Sequence, residues 1–210
     1  MFDLRSILIS IPGVIIAVTL HEYVKSLTAY KLGDKNIKSQ GRLAPNPFKH
    51  MDVLGSLFML FFSYGWANPV RLSPFAFTNR KKAMVIIFLM PFLANFIFGS
   101  LAAMALPFLI YYSQFTDISF DTLIILVEIL RRIAVFNISF AFFNLVPIYP
   151  LDGNLLISGF SPMAAIKLAQ TEKILQIVLA FAIILGLVAT IFDPVTNLIM
   201  RQLTTAFNLF

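Results

Sequence analysis

Ala83-Met-Val-Ile-Ile-Phe-Leu-Met-Pro-Phe-Leu-Ala-Asn-Phe-Ile-Phe-Gly-Ser-Leu-Ala-Ala-Met-Ala-Leu-Pro-Phe-Leu-Ile-Tyr-Tyr112 runs for thirty residues without a charged side chain. Crossing a hydrocarbon core of roughly 30 Å takes a helix of about 20 apolar residues, which satisfies its backbone polar groups within its own segment. The stretch reads as a membrane span. The rest of the chain agrees: 59% of its residues are hydrophobic, mean hydropathy is +0.87 and 12% are charged, against about a quarter in soluble domains.

Working outward, residues from about Ser6 to Tyr30 form a first span that stops at Lys31-Leu32-Gly33-Asp34, since glycine follows the last helical turn. This opening segment runs straight into a charged motif and has no small-residue cleavage site, so it is read as a retained span. Lys35 to Asp52 is a polar loop, and Val53 to Tyr64 is apolar but too short to cross, which predicts a re-entrant or interfacial segment. Gly65 to Asn79, with Pro69 and Pro74, reads as short β-like strands at the membrane face. Beyond Tyr112, a polar turn of Ser113 to Asp121 precedes Thr122 to Ile148. Glu128, Arg131 and Arg132 divide that segment into an interfacial helix and a third span starting near Ile133 and broken at Pro147 and Pro150. Leu151 to Lys173 is a mixed loop with a short helix, Ile174 to Phe192 a fourth span, and Asp193 to Phe210 an amphipathic tail. The expected architecture is an all-α polytopic membrane protein with about four transmembrane helices, built as one domain over residues 1–210.

Lys and Arg accumulate in cytoplasmic loops. Lys31, Lys35, Lys38, Arg42, Lys49, Arg71, Arg80, Lys81, Lys82, Lys167 and Lys173 fall on one side of this span model, and Arg5, Arg131, Arg132 and Arg201 on the other. The expectation is a multi-pass cell-membrane protein with the large loop and the Asp152 turn in the cytoplasm. Because the basic residues sit in short loops between spans, orientation accounts for the net charge of +6 and nucleic-acid binding is not expected. Trp66, Tyr64, Tyr111 and Tyr112 fall at predicted span ends, where amphipathic rings settle. The chain has no cysteine, so any metal is left to His, Asp or Glu.

Two motifs carry chemistry. His21-Glu22-Tyr23-Val24-Lys25 lies near the end of the first span, and ionisable residues there are expensive and mark function. In zinc proteases, His at i and i+4 share a helix face and bind the metal while the Glu beside the first activates water; here position i+4 is Lys25. The second motif, Asn144-Leu-Val-Pro147-Ile-Tyr-Pro150-Leu-Asp152-Gly153, breaks the third span and presents an oxygen ligand in Asp152. Taken singly, the first also reads as a polar helix end and the second as a plain proline turn; together they reinforce each other.

With both motifs in place the chain resembles the bacterial site-2 proteases, the intramembrane metalloproteases of peptidase family M50. Tyr30-Lys-Leu-Gly-Asp34, Gly41-Arg-Leu, Asn46-Pro-Phe-Lys-His50, Gly65-Trp-Ala-Asn-Pro-Val70 and Pro91-Phe-Leu-Ala-Asn95 are similar to blocks of its compact branch lacking a PDZ domain. The resemblance implies zinc as cofactor, His21 and Asp152 as ligands, Glu22 as general base and Asn144 in oxyanion stabilisation. It also implies transmembrane segments of membrane proteins as substrates or partners, within the lipid bilayer. Two positions depart from the pattern: Met90 stands where the family usually has Gly before Pro91, and Lys25 stands at the second zinc His. An ammonium has no lone pair, which leaves the zinc one ligand short of three. Three resolutions are open. Lys25 is deprotonated and ligates; His50 supplies the missing imidazole; or, the favoured one, Lys25 provides a positive charge where zinc sits in the family, pairing with Glu22 and Asp152. The functional alternatives are an impaired intramembrane protease and an inactive pseudoprotease that binds membrane-protein helices as a regulator or scaffold. A small transporter is disfavoured by the lack of polar groups in the spans Ala83 to Tyr112 and Ile174 to Phe192.

Overall fold

Asp3 opens the first helix by accepting the Arg5 N–H at 3.2 Å, and α1 then runs over Leu4–Lys31. At 1.5 Å per residue its 28 residues reach about 42 Å, enough to cross a bilayer with some tilt. It stops at Leu32, and Gly33, at φ +126°, turns the chain where a side chain would be strained. The computed structural model describes residues 3–205; the last five positions of the expected amphipathic tail lie outside them.

The loop after α1 is organised by Asp34, fully buried, whose carboxylate accepts the N–H groups of Asn36 and Ser73. It carries the short helices α2 (Asn36–Ser39) and α3 (Pro47–His50) and leads to α4 (Val53–Phe62). Asp52 caps α4 by accepting the Gly55 N–H at 2.7 Å. With 10 residues, about 15 Å, α4 is too short to cross, as its apolar run predicts. The β-like reading of Gly65 to Asn79 is not met. Among the described residues there is no strand, only an antiparallel bridge between Met51 and Ala67 and a 3-10 turn at Pro74–Ala76. Its prolines withhold the N–H groups a ladder requires.

Next come α5 (Arg80–Ser113) and α6 (Phe120–Phe143), capped by the side chains of Asn79 and Ser119. The division near Ile133 is not observed. Charged residues alone do not interrupt a helix, and α6 contains neither proline nor glycine up to Asn144. After it follow α7 (Asn154–Phe160), α8 (Pro162–Gln170), α9 (Glu172–Ile184) and α10 (Leu187–Thr205). The expected fourth span, Ile174 to Phe192, falls on a bent pair: α9 and α10 meet at 67° about Gly186, at φ +73°. Among the described residues two helices, α1 and α5, are long and apolar enough to cross a membrane, and a third crossing requires the bent pair as one unit.

α1, α5 and α6 form the packed centre. Glycine permits their close approach: a Cβ on Gly13 would lie 2.8 Å from the Phe136 ring and 3.0 Å from the Arg132 carbonyl oxygen, and one on Gly99 2.8 Å from Ile138. Val14, Ala17, Val18, Met59, Phe136 and Phe140 fill the space between α1, α4 and α6. Met90 points outward at 42% exposure, as do Leu93, Ile97 and Leu101, so side-chain bulk there leaves the packing of α5 untouched. Tyr64 and Trp66 are buried against Phe143 and Phe58 rather than set at an interface, while Tyr111 and Tyr112 are exposed.

Candidate functional site

His21 and Lys25, one turn apart on α1, face the same way, with Glu22 beside them, and all three are almost wholly buried. Opposite lies Asp152, in the turn between α6 and α7. Main-chain bonds hold that turn: the Gly153 N–H donates to the Asn144 carbonyl at 2.8 Å, the Leu151 N–H to Ile148 at 2.8 Å, and the Leu155 N–H to Asp152 itself at 2.8 Å. The end of α6 and the start of α7 thus place the carboxylate.

The Lys25 ammonium donates to Asp152 Oδ1 at 2.6 Å and also to Glu22 Oε1. His21 Nε2–H donates to Asp152 Oδ2 at 3.0 Å, since an ionised carboxylate only accepts. Burial alone would raise the Asp152 carboxyl, but the Lys25 charge and the hydrogen bonds from His21 and Lys25 outweigh it and hold it well below the ordinary carboxylate range. One cation bridging two carboxylates meets the condition under which buried charges are tolerated, that each be paired and hydrogen-bonded. A cleft of about 190 Å³, lined by Lys25, Asp152, Tyr149, Val70 and Leu155, reaches the cluster.

Several neighbours hold this arrangement. Asn95, buried on α5, donates its amide to the Ala17 carbonyl at 2.9 Å, fixing α1 one turn before His21. Phe140 meets the His21 ring edge-on at 5.0 Å. His50 is fully buried, donates Nε2–H to the Ala44 carbonyl at 2.8 Å, and stacks edge-on with Tyr23. Burial lowers its pKa, against the opposing pull of that hydrogen bond and the Glu22 charge, so it is neutral at neutral pH. His50 is not part of the metal-capable group of His21, Glu22 and Asp152. Arg42, singled out in the sequence only as one basic residue among many, is buried, donates to the Asn68 carbonyl at 3.1 Å and feels the Glu22 charge. Asn144 uses its amide on the Phe140 carbonyl of its own helix at 2.8 Å, tying off α6 where the Asp152 turn begins.

The model of the family described as Peptidase family M50 matches residues 6–188, nearly the whole chain. The chain belongs to peptidase family M50. It is 29% identical over 192 residues, 87% of this chain and 83% of the relative, to the Bacillus subtilis (strain 168) protein named "Putative zinc metalloprotease YwhC". No solved structure matches it.

For a member of family M50 zinc is the expected cofactor, and its fit can be tested on the residues present. His21, Glu22 and Asp152 offer ligand atoms within 4.8 Å of one another, close enough to share an ion. The donor set falls short all the same. His21 and Asp152 supply one imidazole and one carboxylate; the position that would complete three protein ligands is an ammonium, and Glu22 is bonded to it. Metal-binding histidines almost always engage their second ring nitrogen, whereas buried His21 Nδ1 has no hydrogen-bond partner among the described residues.

Proposed function

We propose that this M50-family protein engages transmembrane segments of membrane proteins with its zinc chemistry impaired at residue 25, where a lysine cation takes the place of the metal charge. The observation that carries the reading is the Lys25 ammonium bonded to both Glu22 and Asp152. A Glu22 carboxylate ion-paired in that way is a weaker base toward water. Residues 21, 22, 25 and 152 then act as a structural ion cluster that locks α1 to the turn after α6, and the cleft beside it binds without hydrolysis. This is the pseudoprotease form of the family assignment. The count of basic residues supports placing the loop after α1 and the Asp152 turn on the cytoplasmic side of the cell membrane.

A second reading, residual zinc-dependent cleavage with Glu22 as base and Asn144 stabilising the oxyanion, is favoured by one feature: His21, Glu22 and Asp152 still stand close enough to share an ion. It requires Lys25 to give up its proton against an ordinary pKa near ~10.4.

Elemental analysis of detergent-purified protein separates the two. The expected result is no stoichiometric zinc in the wild type, about one zinc per chain in Lys25→His as a third ligand completes the site, and loss of that zinc in Lys25→His/His21→Ala. About one zinc in the wild type, lost in His21→Ala, would overturn the proposal and restore the protease reading.

A further inference from the structure

A second and larger cleft, of about 930 Å³, opens between the C-terminal part of α5, the N-terminal half of α6 and the end of α10. Leu106, Val127 and Met200 line it with apolar surface, and Arg131 and Arg201 bring two guanidinium groups to the same space. It is separate from the Lys25 cluster: Arg131 lies thirteen residues before Asn144 on α6, about 20 Å at the helical rise of 1.5 Å per residue.

No acidic residue lines the cleft, so the two guanidinium groups have no counter-charge within it. Neither side chain has an ion-pair or hydrogen-bond partner among the described residues. The nearest acid in sequence on α6, Glu128, is engaged by Arg5 at 3.4 Å. Both arginines are exposed, and two like charges brought to one largely apolar cleft favour an anion between them. The walls decide its chemistry. A planar guanidinium matches phosphate with two parallel hydrogen bonds, and an apolar lining suits hydrocarbon rather than a hydrated ion. The volume falls in the range of small-molecule sites and far exceeds what an inorganic phosphate fills. Basic pockets between membrane helices take lipid head groups on this same logic. Tyr111 and Tyr112, exposed and among the lining residues, are of the type that settles where head groups meet acyl chains.

We propose that this cleft is a binding site for an anionic phospholipid, its phosphate held by Arg131 and Arg201 and an acyl chain laid over Leu106, Val127 and Met200. The bound lipid ties α10 to α5 and α6, and the inference is independent of whether the Lys25 site holds metal.

The test is native mass spectrometry of the full chain in detergent, titrated with phosphatidylglycerol or with phosphatidylcholine of the same acyl chains. The wild type is expected to retain about one phosphatidylglycerol in preference to phosphatidylcholine. Arg131→Gln/Arg201→Gln should lower its apparent affinity by about tenfold or more, the scale of lost charge-assisted hydrogen bonds. The single variants should show intermediate losses, and Arg131→Lys/Arg201→Lys should recover part of the affinity while confirming that the altered cleft folds. Arg71→Gln/Lys81→Gln, on the other basic face, should behave as wild type. Equal retention of the two lipids, undiminished retention by the Gln variants, or full displacement of phosphatidylglycerol by equimolar inorganic phosphate would each overturn the proposal. So would an Arg-dependent dimer that binds no lipid.

Discussion

Replacing Lys25 by Met keeps the side chain's length and removes its charge, leaving Glu22 and Asp152, 1% and 4% exposed, without their shared cation. Two buried carboxylates cannot both stay ionised on that footing, and at least one must take a proton. Starting from an ordinary pKa near ~4, holding a carboxyl neutral at pH 7 costs about 4 kcal/mol at 1.36 kcal/mol per unit. This agrees with the roughly 3–5 kcal/mol lost when one partner of a buried ion pair is removed. At pH 5 the same proton costs about 1–1.5 kcal/mol. A carboxyl whose pKa rises on folding loses stability as pH climbs past its unfolded value, so the deficit of Lys25→Met grows with pH. The assay is reversible unfolding of chelator-treated protein in mixed micelles, wild type against variant, at pH 5 and pH 7. Adding Glu22→Gln to Lys25→Met should recover part of the loss at pH 7. A deficit below about 1 kcal/mol at pH 7, or one equal at both pH values, would refute the view of Lys25 as the charge that holds this cluster together.

Asn95→Leu removes the amide that pins α1 through Ala17, and a loss of about 1 kcal/mol in the same unfolding assay is expected, with the Lys25 cluster shifted enough to lower zinc uptake in a Lys25→His background. Gly99→Ala places a Cβ 2.8 Å from Ile138 and 3.0 Å from the Ala134 carbonyl oxygen, which should cost about 1–3 kcal/mol; an unchanged midpoint would mean that α5 and α6 yield at this crossing. Tyr64→Phe deletes the 2.7 Å bond to Asp193 that anchors α10 to the loop after α4, and about 1–2 kcal/mol should be lost together with faster proteolysis near Gly186.

The spans Leu4–Lys31 and Arg80–Ser113 are legible in sequence because long charge-free runs have few alternatives in lipid. The division assigned near Ile133 fails because Arg131 and Arg132 speak to environment, not to backbone geometry, and the helix passes through them. At Gly186 the signal was present and outweighed by hydropathy: the residue that could take φ +73° stood inside an apolar run counted as one span. The site followed the same pattern. His21, Glu22, Lys25 and Asp152 announce themselves as ionisable groups at helical spacing beside a proline-broken turn, and the structure brings all four together. Asn95 and Tyr64 reach partners 78 and 129 residues away, and no local spacing encodes such a meeting. His50, a reasonable ligand by residue type, is occupied by its own loop.

The turn that carries Asp152 is closed by its own main-chain bonds at Leu151, Gly153 and Leu155, besides the side-chain bonds Asp152 makes across the site. Shape and chemistry are thereby decoupled: exchanging the residue at position 25 leaves the turn's own main-chain bonds in place, so the character of the site is set at a single address.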